Sequence, residues 1–280
     1  MKKNTIKDPD ALIKHRPFLK WAGNKYHVLS HIEEILPHGK RLIEPFAGSA
    51  AVFLNTNYSR YIIADNNSDL INLYNFLKED GADFIKKCRR MFTARNNNEA
   101  LYYKYREEFN RSKNIERKAI LFLYFNRHGY NGLCRYNLKG GFNVPFGRYT
   151  NPYFPEKEML FFHKKSQKAL FKHADFSNIM NKARSGDVIY CDPPYVPLSK
   201  SANFTSYSTN GFKNTQQIQL AEIAKQLSNK GISVLISNHN TSFTQQSYSS
   251  ALAIKQFNVR RFISCKGSQR NKVAELLALF

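Results

Sequence analysis

KRLIEPFAGSAAVFLN, residues 40–55, sets a short apolar strand at Leu42-Ile43 before a turn marked by Pro45 and Gly48, then opens a helix-compatible run, Ala50-Ala51-Val52-Phe53-Leu54. The next stretch, RYIIADNNSDLINLYNFLK (60–78), repeats the alternation. An apolar strand ends at Asp65, and Leu70, Leu73, Tyr74 and Leu77 recur at helical spacing behind a cap at Ser68 or Asn67. Strand, glycine turn, helix and a second strand closed by an acid make half of a nucleotide-binding α/β unit. In such units ligands gather at the carboxyl ends of parallel strands, and the acid ending the second strand takes ribose hydroxyls. Asp65 follows Gly48 by seventeen residues, near the roughly twenty this geometry expects. A single glycine marks the turn, so this segment taken alone also fits an ordinary βαβ unit with a capping aspartate.

The strand pattern resumes in DVIYCD (187–192) and GISVLISN (231–238). Between them Leu220, Ile223, Ala224 and Leu227 form the apolar stripe of a helix capped by Thr215 or Asn214 and stopped near Gly231. Strands separated by helices imply an α/β fold with a mostly parallel sheet and helices on both faces. The tail KVAELLALF (272–280) reads equally as a last strand or a short helix. Residues 80–185 break the alternation: EALYYKYREEFNRS (99–112) and ERKAILFLYFNRHG (116–129) read as helices. They are followed by YNGLCRYNLKGGFNVPFGRYTNPYFP (130–155), where Gly140-Gly141 suits a tight hairpin turn and Pro145 and Pro152 exclude a long central strand. Cations there alternate with Tyr130, Tyr136, Phe142, Phe146, Tyr149 and Tyr153. Lys and Arg contact phosphates and guanine edges, and aromatic faces stack on bases or wedge between them.

The charge points the same way. The chain of 280 residues holds 43 Lys+Arg against 21 Asp+Glu, a net charge of +22, and its pI is near 9.8. Such a field attracts polyanions, nucleic acid first among them. There is no apolar run of membrane-spanning length and no basic amphipathic helix at either end, so no membrane partner is expected. The opening MKKNTIKDPDALIKH lacks the apolar core of a secretion signal. Cys88, Cys134, Cys191 and Cys265 stand far apart, without metal-binding spacing. A cytoplasmic protein with no structural metal is expected, built as one large domain or as one domain with an insertion.

GDVIYCDPPYVPL (186–198) carries the chemistry. An aspartate at a strand's carboxyl end sits where a parallel sheet holds its reactants, and two prolines fix φ and remove two backbone N–H groups. What remains is an edge of acceptors, the Asp192 carboxylate and the Pro193 carbonyl. An amine on an aromatic ring has two N–H donors and a lone pair delocalised into the ring. Acceptors on both hydrogens localise that lone pair and make the nitrogen a better nucleophile, while Tyr195 offers the ring a stacking face.

With these residues in view, the chain resembles the Dam-type DNA adenine-N6 methyltransferases, of the α group of amino-methyltransferases, from HRPFLKWAGNKY (15–26) onward. FLKWAGNK is similar to that family's N-terminal cofactor motif, EPFAGSAAVF to its first methyltransferase motif and DPPY to its catalytic motif. RHGYNGLCRYN and FNVPFGRY resemble its DNA-reading hairpin. The resemblance implies a Rossmann-like methyltransferase domain in residues 1–78 and 170–280, with a helical and β-hairpin target-recognition insertion at 79–169. It implies an enzyme, a site-specific adenine DNA methyltransferase with S-adenosylmethionine as donor. The implied target is GATC in double-stranded DNA, with the base flipped into the DPPY pocket. A monomer acting in the cytoplasm on nucleoid DNA is expected.

The resemblance assigns Asp192, Pro193, Pro194 and Tyr195 to catalysis, and Trp21, Lys25, Glu44, Phe46, Gly48, Asp65 and Asp192 to the cofactor. Tyr130 matches the residue that wedges into the duplex and Asn131 the one facing the orphaned thymine. Leu133 and Pro145 match contacts to a thymine methyl, Arg135 a contact to guanine, and Lys20 and Tyr149 contacts near the first guanine. Arg148 serves phosphate or guanine. Two positions depart from the family pattern: Asn24 stands at the second glycine of KWAGGK, and Ala50 at the second glycine of FxGxG. Asparagine tolerates positive φ, which makes the first change mild. Ala50 is expected to have entered the helix with negative φ. Two other classes compete: a DNA-binding relative with impaired catalysis, and an amino-methyltransferase acting on RNA or protein. Enzymes of the second class usually carry NPPY and lack the hairpin.

Overall fold

The computed structural model describes residues 14–197, 212–260 and 272–280. Cys265 and the first thirteen residues of the basic N-terminal stretch lie outside them. The apolar runs become the strands of one sheet: β1 (Arg41–Glu44), β2 (Arg60–Asp65), β3 (Ala169–His173), β4 (Asp187–Cys191), β5 (Ser233–His239), β6 (Ala253–Arg260) and β7 (Lys272–Leu279). Their order is β3-β2-β1-β4-β5-β7-β6, with the first five parallel and β7 antiparallel to both its neighbours. The tail is therefore a strand. It is paired along Leu235↔Leu279 to His239↔Glu275 on one side and with β6 on the other.

Both faces of the sheet are covered, which is why β4 and β5 read as continuous apolar runs. Leu42, Tyr61, Ile63, Val188, Tyr190 and Leu235 face one hydrophobic cluster. Ile43, Ala64, Ile189, Cys191, Val234 and Ile236 alternate onto the other. The first cluster takes in α1 (Leu29–Glu33), α2 (Ala51–Asn55), α3 (Ser68–Arg89), α4 (Glu99–Arg111), α5 (Ile115–His128) and α6 (Glu156–Ser166). The second takes in α7 (Phe176–Met180), α8 (Asn214–Ser228) and Tyr248, just after α9 (Ser242–Ser247). No helix among the described residues is long and apolar enough to cross a membrane.

Local signals set the helix ends. Asn67, one of the two expected caps of α3, accepts from Leu70 N–H at 3.1 Å. For α8 the capping residue is Lys213 and not Thr215 or Asn214, both of which lie inside the helix. A lysine has no acceptor, so the contact runs the other way: the Lys213 N–H donates to Gln216 Oε1 at 3.0 Å. Residues 78 and 79 lie within α3, which bends at Gly81 (φ 42) and whose buried face continues from Leu70 to Cys88. A Cβ at Gly81 would stand 2.5 Å from the His163 ring of α6, so glycine lets the two helices meet.

The segment after α5 forms a hairpin-shaped loop joined by single bridges, Gly129↔Phe146 and Tyr136↔Phe142, and by Asn143 N–H to Arg135 O at 2.8 Å. Its root is pinned beside the end of β2: Tyr136 Oη donates to Asp69 at 2.8 Å and Asn67 Nδ2 contacts Cys134 Sγ at 3.4 Å.

Candidate active site

The strand order reverses between β1 and β4, and the carboxyl ends flanking that switch point are where an open α/β sheet binds its ligands. Glu44 ends β1 and Asp192 follows β4, so two acids of the sequence reading stand on adjacent strands. Glu44 is buried and its Oε1 has no hydrogen-bond partner. Burial pushes its carboxyl well above the usual range, the Asp192 charge adds to this, and the Phe53 backbone N–H opposes it. Asp192 is raised as well, by burial, against the pull of Lys25 and Ser237.

Lys25 Nζ lies 2.8 Å from Asp192 Oδ1, donates to the Gly23 carbonyl at 2.5 Å, and stands 4.5 Å from the centroid of the Tyr195 ring. Ser237 Oγ on β5 donates to the same Asp192 oxygen at 3.1 Å. Oδ2 is engaged by neither. The DPPY backbone is clamped from below by buried amides: Gln217 Nε2 donates to Pro194 O at 2.8 Å, Val196 N–H donates to Asn238 Oδ1 at 3.1 Å, and Asn238 Nδ2 donates to Gln217 Oε1 at 3.0 Å. Tyr195 is fixed by Glu275, 3.3 Å from its hydroxyl, and by the His239 ring set edge-on at 4.8 Å.

The cofactor-loop residues gather around Gly48. Its N–H donates to Asp65 Oδ2 at 3.0 Å, and Asn67 N–H reaches Asp65 Oδ1 at 2.9 Å. Burial raises the Asp65 carboxyl, and these two N–H bonds oppose the rise. A Cβ on Gly48 (φ 45) would stand 2.9 Å from Trp21 Nε1, so the indole lies directly against the glycine. Phe46 stacks on Phe176 at 5.4 Å, on the α7 side of the sheet.

Two expectations about this loop are corrected. Ala50 has not entered the helix with negative φ: it is the capping residue of α2, buried, at φ 58 and ψ 34, a left-handed conformation normally left to glycine. Asn24 does not need tolerance of positive φ. Gly23 carries that conformation (φ 75), while Asn24 sits at φ −52 and accepts from Tyr26 N–H at 2.9 Å.

Apart from Lys20, which stands on the N-terminal cofactor segment, the residues expected to meet DNA lie along the hairpin loop. Lys20 Nζ stands 4.3 Å from the centroid of the Tyr149 ring, and Tyr149 Oη accepts from Asn131 N–H at 2.9 Å. Burial and the nearby Arg127 cation lower the Lys20 pKa. Tyr130 is 52% exposed and its N–H donates to Pro145 O at 2.9 Å. Arg135 is oriented by bonds from Nε at 3.1 Å and Nη2 at 2.6 Å to Asn143 O. Leu133 packs partly on the core, while Arg148 is exposed with Glu99 at 3.5 Å. Asn126, buried on α5, joins this loop to the cofactor segment: it accepts from Lys20 N–H at 2.9 Å and donates to Lys20 O at 2.7 Å.

Ser237, Asn238, Gln217, Glu275 and Asn126 were not among the expected site residues. The signal that Ser237, Asn238, Glu275 and Asn126 carried was a polar residue inside an apolar run, as in GISVLISN and FLYFN, whereas Gln217, set among polar residues in NTQQIQ, carried none.

A mostly parallel sheet with acids at its switch point and an acceptor edge beside an aromatic face defines a Rossmann-like methyltransferase domain. The D12 class N6 adenine-specific DNA methyltransferase family model matches residues 21–262, and the chain belongs to that family. It is 53% identical over 267 residues to the DNA adenine methylase of Escherichia coli (strain K12), covering 95% of this chain and 96% of that one. The corresponding figures are 53% over 268 residues for the Serratia marcescens DNA adenine methylase, covering 95% and 99%. For that of Vibrio cholerae serotype O1 they are 52% over 271 residues, covering 95% and 96%. The chain is thus an adenine-specific DNA methyltransferase.

Proposed function

We propose that the enzyme transfers a methyl group from S-adenosylmethionine to N6 of adenine in double-stranded DNA at GATC, after the base leaves the helix stack. We place it in the cytoplasm, acting as a monomer on nucleoid DNA. The single observation that carries the reading is the convergence of Asp192, Lys25 and Tyr195 at the switch point, with Lys25 Nζ 2.8 Å from the carboxylate and 4.5 Å from the ring.

The donor set fits the cofactor. The buried Glu44 carboxyl has an unpartnered oxygen, Asp65 ends β2 where a ribose would lie, and the space a Cβ on Gly48 would fill is bounded by the Trp21 indole. Trp21, Lys25, Glu44, Phe46, Gly48 and Asp65 would hold S-adenosylmethionine, which supplies an electrophilic methyl group when bound.

N6 of adenine is out of reach inside a duplex, so the base must be extruded. Tyr130, half exposed on the hairpin loop, is the wedge that enters the vacated space, and Asn131 beside it faces the orphaned thymine. Arg135, Leu133 and Pro145 read base edges and methyl groups, and Lys20, Tyr149 and Arg148 hold the flanking guanine and phosphates. The extruded ring stacks on Tyr195 once the Lys25 ammonium moves off that face. Asp192 Oδ2 and the Pro193 carbonyl then accept the two N–H bonds, which localises the nitrogen lone pair toward the methyl group. Ser237 keeps the carboxylate aimed throughout. As the N–C bond forms, the bond from that methyl carbon to the donor sulfur would break and leave a neutral thioether, and the extra proton on nitrogen would pass to the Asp192 carboxylate.

The test is incubation of a GATC duplex and a duplex with that site scrambled with methyl-labelled S-adenosylmethionine, followed by nucleoside analysis. Label in N6-methyladenine from the GATC duplex alone is expected. Label in cytosine, or equal label in both duplexes, would overturn the reading.

A further inference from the structure

Each of the five parallel strands is entered through a segment carrying an exposed cation. Lys168 precedes β3, Arg60 opens β2, Lys40 precedes β1, Lys182 and Arg184 precede β4, and Lys230 precedes β5. Because β3-β2-β1-β4-β5 are neighbours in the sheet, these cations form one row. Strands lie about 4.8 Å apart, so the row spans about 20 Å. Among the described residues none of the six is ion-paired. The acid within the row, Asp187, is buried and already held by Arg41 Nε at 2.9 Å and by Arg184 N–H at 2.8 Å.

Cations at helix ends have an ordinary explanation, and the magnitudes show how far it goes. Helices α1, α2, α6, α7 and α8 each lead into one of these strands and so end on this face. A helix carboxyl end carries about half a negative charge, which makes about two and a half for all five. Exposed Glu33 adds one more, while its neighbour Glu34 is neutralised by an ion pair with Lys255. Six cations exceed that total, and exposed Lys164 and Lys225, in the last turns of α6 and α8, widen the excess.

The DPPY site lies at the opposite ends of the same strands. β5 is 7 residues long, which separates the two faces by about 20 Å. Duplex DNA has a persistence length of about 150 base pairs, so a duplex seated on the hairpin loop does not bend around to this face. We propose that the amino-end face of the sheet is a second DNA-binding surface, which holds a separate duplex segment through its phosphates while the hairpin loop engages the first. Duplex backbone is the partner the face fits. Phosphates advance about 3.4 Å along each strand of a duplex, so a 20 Å row meets about six of them. The aromatic side chain in the entering segments, Tyr58, is buried, so the row offers no stacking platform of the kind that binds single strands.

The test uses the whole enzyme at low salt with two short duplexes of about 12 base pairs, far below the persistence length and so too stiff to bend around both faces. One carries GATC and the other does not, and native mass spectrometry counts the duplexes bound per chain. The wild-type chain should hold two, and the Lys40→Gln/Lys168→Gln/Lys182→Gln/Lys230→Gln variant one, with unchanged turnover on the GATC duplex. Affinity for the second duplex should fall by about a hundredfold or more between about 50 and 200 mM salt. A single duplex on the wild type, or two on the variant, overturns the proposal. So does displacement of the second duplex by polyglutamate at equal charge concentration, which would assign the face to an acidic polypeptide.

Discussion

Lys25 and Asp192 are joined at 2.8 Å in a site where the same lysine ammonium also covers the Tyr195 ring. One cation thus keeps a partly desolvated carboxylate charged and occupies the face on which the extruded base would stack. Burial raises the Asp192 pKa, and Lys25 opposes that rise more strongly than Ser237 does. Removing either partner should raise it further, so a higher pH would be needed to ionise the carboxylate. The acid limb of the pH–rate profile should therefore move up in Lys25→Ala and, by less, in Ser237→Ala. Loss of the Ser237 bond should lower the single-turnover rate by roughly 10- to 100-fold, in line with the roughly 1.5–3 kcal/mol of a hydrogen bond to a charged group. An unmoved acid limb in both variants contradicts this.

Glu44 should make the protein less stable as pH rises. Its folded pKa lies well above the ordinary glutamate range, so between the unfolded and folded values the native state binds the extra proton and stability falls with increasing pH. Glu44→Gln cannot ionise and should flatten that dependence, unfolding at higher temperature than the wild type at neutral pH. It should also weaken cofactor binding. Parallel Tm-versus-pH curves for the two proteins would show that Glu44 is not the titrating group.

Ala50, at φ 58, holds a conformation that costs a non-glycine residue about 1–2 kcal/mol. Ala50→Gly relieves this but unburies one methyl group, worth about 0.8 kcal/mol. The expected net is a gain of up to about 1 kcal/mol, or about 2–4 °C in Tm for a domain of this size. Ala50→Val, with a branched side chain at positive φ, should lose stability. A lower Tm for the glycine variant would mean that packing outweighs strain at this turn.

Much of this was legible beforehand because two-sided burial writes itself into sequence. RYIIAD and DVIYCD read as strands, and Asp65 and Asp192 fall at their ends as the pattern required. ALFKH and AIKQFNVR did not stand out: β3 and β6 are edge strands, and Leu170 and Ile254 face solvent. Ser237 serves Asp192 only through the β4–β5 register, which aligns residues more than forty positions apart. Ala50 escaped for a different reason, since residue identity suggested helix entry and the turn after β1 imposed a left-handed φ.

Arg135 presents its guanidinium with two nitrogens already committed to Asn143 O, which fixes the plane of the fork. Arg135→Ala should cost about 1–3 kcal/mol on GATC and relax discrimination at one guanine, and Arg135→Lys should not restore it. Equal weakening on cognate and altered sites would make this arginine a phosphate contact instead.

The proposed reaction places methylation of adenine N6 within GATC at the DPPY site. The most direct measurement is expression of the wild-type chain and of Asp192→Ala in cells lacking adenine methylation, followed by digestion of their DNA with nucleases specific for methylated or unmethylated GATC. DNA from wild-type cells should resist the second nuclease and be cut by the first. DNA from Asp192→Ala cells should behave in reverse, although the variant should bind a GATC duplex within about tenfold of wild type, about 1.4 kcal/mol. DNA from wild-type cells that stays unmethylated at GATC, or methylation that survives the loss of Asp192, would contradict it.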